Sequence, residues 1–315
     1  MSRPAPVVAA VSHRGDEHVP PVLDALRARG ARPVLVDLAE FPARAGVSLP
    51  YGGARGPAAL HLAGGEVRLE RVTAVWWRRP LPLEAAPGLP ERDAAFACRQ
   101  AEEALAGLAA SLDVRWVNEP WRDAAASHKP RQLAAAGRAG LTLPRTLVTS
   151  DPERARAFLG AARGPCVHKA LHATPGDWHA TRRIGPEDLA RVEALRLAPV
   201  VLQQYVPGVD VRVTVVGRAL FATAIDARAT ASPEDFRPVF DAARVEPCTL
   251  PPEVARRLRA LVSALGLRYA AIDLRRRDDG EHVFLEVNPS GQWLFVEQRT
   301  GQPITAAVAR LLAGR

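Results

Sequence analysis

Three oxygen-bearing side chains near the end of the chain have the types and spacing of a metal site. Asp273 lies in one apolar run, and Glu286 and Asn288 lie at the end of the next. The Asp-Asp-Gly sequence at 278–280 separates the runs and predicts a hairpin turn. Residues two apart in a strand face the same side, so Glu286 and Asn288 share a face, and Asp273 can lie opposite them. Two carboxylates and an amide oxygen are hard ligands that suit Mg²⁺, which keeps waters and shares phosphate oxygens.

A solvated hairpin face is the alternative interpretation, because acidic side chains are common on such faces. Glu286, however, is flanked by Phe284, Leu285 and Val287, which the pattern predicts to be buried. A buried carboxylate needs a paired charge or a metal ion. On these residues alone, both interpretations stay open.

Lysine is nearly absent from the chain, although basic residues are abundant. Of 42 basic residues only Lys129 and Lys169 are lysines, and the rest are arginines. A lysine kept against this bias indicates a need for a compact point charge, the form suited to contacts with phosphate. Chance survival of two lysines is the alternative.

A loop of small residues follows the strand predicted at Cys166–Ala170, which carries Lys169. The loop spans 171–179 and contains one glycine, Gly176. Its backbone N–H groups could close over phosphates. An ordinary hairpin loop is the other interpretation, and both stay open.

Composition indicates a globular protein of about two domains, or three small ones, in 315 residues. Hydrophobic residues make up 48% and charged residues 24%, as in globular proteins. No apolar run reaches membrane-spanning length, so no membrane partner is expected. The three cysteines are scattered, which suggests neither a disulfide framework nor a zinc site. We expect a cytoplasmic protein.

The net charge of +8 raises the question of a nucleic-acid partner. The arginines are spread along the whole chain rather than gathered in one helix or arm. We therefore place an anionic small ligand or an acidic peptide ahead of nucleic acid. The Trp-Trp-Arg-Arg segment at 76–79 could bind a peptide, or it could hold one core tryptophan and one surface tryptophan. Both interpretations stay open.

The chain begins with a strand at Pro6–Val11, a helix at His18–Arg29 and a strand at Pro33–Leu38. This order predicts a parallel βαβ unit. Because the unit contains no GxGxxG sequence, it does not indicate a dinucleotide site. The predicted domains are an N-terminal α/β domain at 1–118, a central lobe at 119–203 and a C-terminal lobe at 204–315.

Over residues 120–315 these motifs, in this order, resemble the ATP-grasp carboxylate–amine ligases. The resemblance implies an α/β protein in which a parallel pre-ATP-grasp domain precedes a two-lobed α+β ATP-grasp fold. It also implies ATP and Mg²⁺ as cofactors. By this resemblance the metal ligands are Asp273, Glu286 and Asn288.

The same resemblance assigns roles around the nucleotide. Lys129 and Lys169 look like the two lysines that contact ATP phosphates. Gln203, Gln204 and Tyr205 resemble the hinge strand that contacts adenine. Gln204 stands where the family usually has glutamate. The remaining assignments are Asp210, near the nucleotide, and Arg212 and Arg237, over the reacting phosphates.

A narrower resemblance covers nearly the whole chain. It is carried by the segments HKPRQLAAAGRAGLTLPRTLVTSDP, WWRRP, EDFR and LEVNPSGQWLFVEQRTGQPI. These segments are similar to the ATP-grasp macrocyclases of microviridin-type peptides, the graspetides. A D-W-R triplet is common in that group, and Phe236 stands here in place of its tryptophan. The resemblance implies a ribosomally made precursor peptide with an acidic core, whose Asp/Glu side chains are joined to Ser/Thr hydroxyls or Lys amines.

Two other functions stay open. An intermolecular ligase, resembling the ribosomal-protein glutamate ligases, would add a free amino acid to an acceptor. A nucleotide-binding module would bind ATP without chemistry, although the intact set of lysines, arginines and metal ligands argues against it. The oligomeric state is also open, with a homodimer as one alternative.

We expect Lys169→Arg to impair activity although it keeps the positive charge. The planar guanidinium is longer and requires a fork geometry that a site for a compact ammonium does not provide. Turnover measured at subsaturating ATP checks this. Full activity in the variant would reduce the two-lysine argument to coincidence.

Overall fold

The structure, a computed structural model, describes residues 5–171, 181–232 and 235–314. They form two compact units. One contains the chain up to Trp121 together with the residues from Pro303 onward, and the other runs from Arg122 to Gln302. Within the described ranges, no helix is both long and apolar enough to cross a membrane. The mixed α/β architecture with an N-terminal parallel sheet confirms the predicted fold class.

Strands and helices are distributed along both units. The described strands are β1 (Val7–Val11), β2 (Arg32–Val36), β3 (Gly46–Ser48), β4 (Ala59–Leu62), β5 (Gly65–Arg68), β6 (Val72–Trp77), β7 (Arg115–Val117), β8 (Thr146–Thr149), β9 (Cys166–Lys169), β10 (Arg182–Arg183), β11 (Val200–Gln204), β12 (Val209–Val216), β13 (Ala219–Asp226), β14 (Arg244–Pro247), β15 (Tyr269–Arg276) and β16 (His282–Asn288). The described α-helices are α1 (Val19–Arg27), α2 (Glu91–Ser111), α3 (Pro120–Ala126), α4 (Lys129–Arg138), α5 (Pro152–Gly160), α6 (Pro186–Ala190), α7 (Pro252–Ala264), α8 (Leu294–Thr300) and α9 (Ile304–Ala313). Short 3₁₀ segments lie at Leu38–Glu40, Leu69–Arg71, Val192–Leu197 and Arg237–Ala242.

A four-stranded parallel sheet, in the order β2-β1-β6-β7, organises the first unit, beside a small antiparallel sheet of β3, β4 and β5. α1 buries Val19, Val22, Leu23 and Leu26, which lie on one face at helical spacing. α9 packs against α1, β6 and β7. The predicted lobe at 204–315 includes the residues of α9. The amphipathic pattern of a short helix does not indicate which sheet the helix packs on. The predicted boundaries after 118 and 203 stay predictions.

The Trp-Trp-Arg-Arg segment at the end of β6 is largely core. Trp76 is only 2% exposed, whereas Trp77 is partly exposed. Arg78 is buried as well, and its Nε lies 3.2 Å from Asp16. Burial by itself raises the pKa of Asp16, but the hydrogen bond with His18 and the charge of Arg78 hold that pKa below its usual value. These positions favour the second of the two interpretations left open by the sequence.

A four-stranded antiparallel sheet, in the order β10-β9-β11-β8, lies in the second unit. Asp151 is the N-cap of α5, and its side chain accepts hydrogen bonds from backbone N–H groups of the first turn. The helix buries Ala155 in one cluster with Leu202 of β11. The loop predicted to close over phosphates, with Gly176, falls almost entirely at 172–180, outside the described residues.

A five-stranded antiparallel sheet, in the order β14-β13-β12-β15-β16, completes the second unit. Successive side chains of a strand point to opposite faces. Val211, Val213 and Val215 of β12 join a core with side chains of α4 and α7. Asp210 and Arg212 point to the other face and are also buried. The strand is therefore apolar on one face and charged on the other.

A β-bulge at Leu285 decides which face of β16 carries the carboxylate. On one side of the bulge Phe284 pairs with β15 in the core, and on the other side Glu286 pairs with Asp273. The extra residue reverses the alternation of faces, so that Phe284 and Val287 both point into the core. The two acids face each other as the hairpin predicted, but the bulge rather than the turn brings them together.

Candidate active site

Two buried ion pairs cross between β12 and β15 and form the centre of the site. Each strand carries an Asp-x-Arg sequence, and because the strands are antiparallel each aspartate lies opposite an arginine. The Asp210 carboxylate is 3.2 Å from Nε of Arg275, and Oδ1 of Asp273 is 2.7 Å from Nη1 of Arg212. All four residues are buried. Desolvation makes unpaired charges costly in such a place, so each one needs its partner.

Arg275 is a site residue that the sequence prediction missed. Its guanidinium bonds the carbonyl of Gly208 at 3.2 Å in addition to its ion pair. Burial raises the pKa of its partner Asp210 to about 7, although the charge of Arg275 acts in the opposite direction. In the sequence, Arg275 begins a run of three arginines just before the turn, and it therefore does not stand out. The repeated Asp-x-Arg sequence, on two runs that can pair, was the available signal.

Glu286 is held by one cation at each carboxylate oxygen. Nζ of Lys129, the first residue of α4, donates to Oε2 at 2.8 Å, and Nη2 of Arg237 donates to Oε1 at 2.8 Å. Arg237 also lies 3.5 Å from Asp273. Burial raises the pKa of Glu286, but the charges of Lys129, Arg237 and Lys169 outweigh that effect and bring the pKa below its usual value. The carboxylate is therefore ionised at neutral pH.

Lys169 lies beside the same carboxylate. It lines a cavity of about 10 Å³ together with Lys129, Gln203 and Glu286, which is room for about one water molecule. Its Nζ donates to Oε1 of Gln203 at 2.9 Å. Burial lowers the pKa of Lys169, and the charge of Glu286 opposes this. The two lysines singled out by composition are thus brought to one place.

The predicted hinge residues lie at the end of β11. The backbone N–H groups of Gln204 and Tyr205 donate to the carbonyl oxygens of Arg145 and Pro165, at 2.8 and 2.9 Å. Because these N–H groups are used within the protein, a contact of the two residues with a purine would use carbonyl oxygens or side chains. The guanidinium of Arg183 lies 4.7 Å from the centre of the Tyr205 ring.

The three predicted metal ligands lie on one face of the β15–β16 hairpin. Asp273 pairs with Glu286 across the strands, and Asn288 follows two residues later on β16. Oδ1 of Asn288 accepts the N–H of Ser290 at 3.0 Å and has a second lone pair. Within the described part of the chain, no three Asp, Glu, His or Cys side chains converge as a metal cage. Mg²⁺ typically takes one or two carboxylates along with phosphate oxygens and waters, and this donor set fits that mode.

The loop after β16, residues 289–293, is fastened to the charged face. The hydroxyl of Tyr269 donates to the carbonyl of Gly291 at 2.7 Å, and Nη2 of Arg212 donates to the next carbonyl at 2.9 Å. Gly291 lies so close to β15 that an added Cβ would collide with Cβ of Ala271. The orientation of Arg212 therefore depends on this loop as well as on its ion pair.

Three phenylalanines pack beside the site arginines. Phe240 and Phe295 contact edge to face with ring centres 5.0 Å apart, and Phe236 stacks on Phe295 at 6.3 Å. The guanidinium of Arg237 lies 6.0 Å from the Phe236 ring, and that of Arg212 lies 5.7 Å from Phe295. The departure from D-W-R at Phe236 thus keeps a buried aromatic ring next to Arg237.

Gln132 is a second residue that sequence reasoning missed. It lies one helical turn after Lys129 and is buried. Its Oε1 accepts the N–H of Val287 at 3.2 Å, and its Nε2 donates to the carbonyl of Ala126 at 2.8 Å. A side chain thus fills a hydrogen-bonding position at the edge of the sheet. One helix supplies both a cation for Glu286 and a fastening for the strand that carries it, and the Lys-x-x-Gln spacing was the signal.

Most of the residues predicted for the site converge, although their roles stay predictions. Direct contacts or the lining of one cavity join Lys129, Lys169, Gln203, Arg212, Arg237, Asp273 and Glu286. Asp210 and Asn288 lie on the same sheet, each two residues from a member of this group. Gln204 lies at the end of β11, and the ring centre of Tyr205 beside it lies 5.8 Å from the guanidinium of Arg275, the partner of Asp210.

Two family descriptions match the chain. Residues 7–124 match the MvdD pre-ATP grasp domain, and residues 126–312 match the RimK-like ATP-grasp domain. None of the curated proteins compared with the chain matches it.

Several solved structures are similar over nearly the full length. Macrocyclase MdnC from Microcystis aeruginosa MRC, bound with precursor peptide MdnA, is 28% identical with a TM-score of 0.87, and the alignment covers 98% of this chain and 100% of MdnC. Macrocyclase MdnB from the same organism is 30% identical with a TM-score of 0.81, covering 98% and 99%. The ATP-grasp ligase PsnB is 28% identical with a TM-score of 0.79, covering 99% of each chain.

The chain therefore belongs to the RimK-like ATP-grasp family, with an MvdD-type pre-ATP-grasp domain at its N-terminus. Like the ligases that it resembles, it is an ATP-dependent ligase. The fold class and enzyme class predicted from the sequence are both confirmed.

We expect Gly291→Ala to lower both stability and turnover, because the new methyl group collides with Ala271 and displaces the loop that holds Arg212. Overpacking of this kind costs roughly 1–3 kcal/mol. Adding Ala271→Gly to the same chain removes the colliding methyl group and should restore part of both losses. Thermal unfolding and ATP consumption measure the two effects.

The control is Gly160→Ala, where an added Cβ meets no neighbouring atom. A double variant no better than Gly291→Ala alone would show that the close approach is not what this position requires.

We expect Glu286→Gln to keep the fold but lose turnover by a factor on the order of 10²–10³, the usual effect of removing one stabilising group at a reacting centre. A neutral amide cannot balance Lys129 and Arg237 or hold Mg²⁺ against phosphates. ATP-dependent turnover measures the effect, with Glu281→Gln on the same hairpin as control, since Glu281 contacts Arg277 and Thr142 rather than the site cations. Near-normal turnover in Glu286→Gln would remove the basis for the metal assignment.

Proposed function

We propose that this enzyme joins Asp/Glu side chains of a ribosomally made precursor peptide to Ser/Thr hydroxyls or Lys amines of the same peptide, forming macrocyclic esters or amides. The observation that carries the proposal is a cluster of four cations around two carboxylates: Lys129, Lys169, Arg212 and Arg237 with Asp273 and Glu286. It lies in a chain that is 28% and 30% identical to two macrocyclases over nearly their whole lengths.

Ring closure needs an activated carboxylate, because oxide is too poor a leaving group. Transfer of the γ-phosphoryl group of ATP to a carboxylate oxygen breaks its bond to ADP and forms an acyl phosphate. A hydroxyl or amine then attacks the carbonyl carbon, phosphate leaves with the bonding electrons, and the nucleophile gives up its proton. Each turnover converts ATP to ADP and phosphate, and removes the elements of one water from the peptide.

The enzyme contributes positioning and charge neutralisation rather than a covalent intermediate. Lys129 and Arg237, which share Glu286 in the structure, would exchange that carboxylate for phosphate oxygens when the nucleotide binds. Arg212 stays oriented by the loop after β16 and would face the transferring phosphoryl group.

Metal binding follows from the charges of the site. Among its described residues, the cations are Lys129, Lys169, Arg212, Arg237 and Arg275, and the carboxylates are Asp210, Asp235, Asp273 and Glu286. These charges nearly cancel, so the protein alone cannot neutralise a triphosphate. Asp273, Glu286 and Asn288 would hold Mg²⁺, which would supply the missing positive charge.

A peptide partner is supported by the relatives of the chain, and the net charge of the chain favours an acidic one. MdnC was solved with precursor peptide MdnA, and PsnB was solved with minimal precursor, Mg and ADP, and with precursor peptide PsnA2 and AMPPNP. The net charge of +8 here favours an anionic partner.

Peptide binding should weaken with salt, because exposed charges are screened within roughly 8 Å at physiological ionic strength.

Intact-mass measurement tests the proposal. The enzyme is produced together with a candidate precursor, an acidic, hydroxyl-rich peptide sought among the short reading frames beside its gene. Glu286→Gln serves as the inactive control. We expect the peptide to lose about 18 Da, one water, for each ring closed. Fragmentation would then show that the lost water links two side chains.

Two outcomes contradict the proposal. A mass increase by an amino-acid residue indicates an intermolecular ligase, the alternative that resembles ribosomal-protein glutamate ligases. ATP binding with unchanged peptide mass and no ADP release indicates a nucleotide-binding module.

A further inference from the structure

Three polar side chains lie in a row across the central sheet: Thr146 on β8, Gln203 on β11 and Lys169 on β9. Gln203 pairs directly with Thr146, and Lys169 pairs with Val201, two residues earlier on β11, so the three side chains share a face. Oε1 of Gln203 accepts from Nζ of Lys169 at 2.9 Å, and its Nε2 donates to Oγ1 of Thr146 at 3.0 Å. Gln203 is only 3% exposed.

The hydroxyl of Thr146 fixes the direction of this hydrogen-bond chain. It donates its proton to the carbonyl of Pro144 at 2.8 Å, so Oγ1 acts as an acceptor toward Gln203. The amide N–H₂ must therefore face Thr146, and the amide oxygen must face Lys169. The reverse orientation would place N–H₂ against an ammonium group.

Lys169 and Lys129 differ in the charge of their partners. Lys129 forms an ion pair with Glu286 at 2.8 Å, whereas the hydrogen-bond partner of Lys169 within the described ranges is the neutral Gln203. Burial is the main influence on the Lys169 ammonium, and the charges that act on it most are Glu286 of β16, Lys129 of α4, Arg237 after Phe236 and Arg275 of β15. Three of these four are cations, so a bound anion would stabilise the buried ammonium.

We propose that Gln203 is a positioning residue for Lys169: its side chain orients the ammonium group and, being neutral, leaves its charge for the phosphates of the nucleotide. Thr146 acts through Gln203. The inference rests on the proposed function in taking phosphate as the anion that Lys169 contacts. In this role the side chain of Gln203 orients a lysine that contacts phosphate, whereas the resemblance assigns Gln203 to the strand that contacts adenine.

Two substitutions at residue 203 test separately whether the side chain must accept a hydrogen bond from Lys169 and whether it must be uncharged. Gln203→Glu keeps an acceptor for the lysine but adds a negative charge that neutralises it. Gln203→Met has a similar length but no strong acceptor. The first should therefore raise the pKa of Lys169, and the second should lower it.

The two-lysine composition of the chain allows a direct measurement. In the full chain carrying lysine labelled with ¹³C at Cε, NMR shows signals from Lys129 and Lys169 alone, and Lys129→Arg assigns them. We expect Gln203→Glu to move the titration of Lys169 upward by about 1 to 3 pH units, and Gln203→Met to move it downward. Thr146→Val should move it downward by a smaller amount. The matched control is Thr149→Val on the same strand, whose hydroxyl bonds the Asp151 N–H instead, and it should leave the titration unchanged.

A merely structural role would shift the Lys169 titration in the same direction in both residue-203 variants, or in neither, and either result overturns the proposal. Circular dichroism first establishes that each variant is folded. If the residue-203 variants do not fold, the comparison of Thr146→Val with Thr149→Val decides, and equal titrations in these two overturn the proposal.

A second measurement links the lysine to the nucleotide. Calorimetric binding of Mg·ATP without peptide should weaken roughly tenfold or more in Gln203→Glu, the usual effect of losing one charged hydrogen-bond partner, although its lysine is more fully protonated. Gln203→Met should bind nearly as well as the unmodified chain at low pH and lose affinity as its lysine deprotonates. Unchanged affinity in Gln203→Glu overturns the proposal.

The two proposals fail in different ways. Normal Mg·ATP binding with no mass loss in the peptide counts against the proposed function alone. Opposite lysine titrations combined with no Mg·ATP binding in the unmodified chain count against the proposed function and the phosphate part of this inference together.

Discussion

The crossed ion pairs between β12 and β15 are the interaction on which the rest of the site depends. Four charges lie on a buried face where water cannot solvate them, so each must find a partner inside the protein. Antiparallel pairing of two Asp-x-Arg sequences meets this need between direct neighbours. A slip of one residue between the two strands would turn both charges of the shifted strand toward the core built on Val211 and Val213. The register of the sheet and the charges of the site are therefore one constraint.

The same constraint explains why the site consists of pairs that can exchange partners. Lys129 and Arg237 share Glu286, and Arg212 and Arg237 share Asp273, at distances between 2.7 and 3.5 Å. By the proposed function, a nucleotide with its metal would bring phosphates for the cations and Mg²⁺ for the carboxylates. Each charge would then keep a partner while the ligand enters, which limits the cost of desolvation.

Rigid supports keep these groups in position. The bulge at Leu285 holds Glu286 on the charged face, and Gln132 fastens the outer edge of β16 by a side-chain hydrogen bond. The close approach of Gly291 to β15 places a backbone carbonyl where Arg212 can bond it. Catalysis by positioning needs such supports, because small displacements of the reacting groups cost rate.

Local regularities of the chain allowed part of this to be predicted. The period of two along a strand put Glu286 and Asn288 on one face, the strand–helix–strand order predicted the parallel sheet, and the scarcity of lysine singled out two residues that lie in one cavity. Only the tertiary structure decided that a bulge aligns Glu286 with Asp273 and that Arg275 pairs with Asp210. It also decided that Gln203 accepts a hydrogen bond from Lys169 and that α9 packs in the first unit. The physical reason is distance along the chain: strand register, side-chain partners and the sheet that a helix covers are settled by packing between remote segments, which local pattern does not encode.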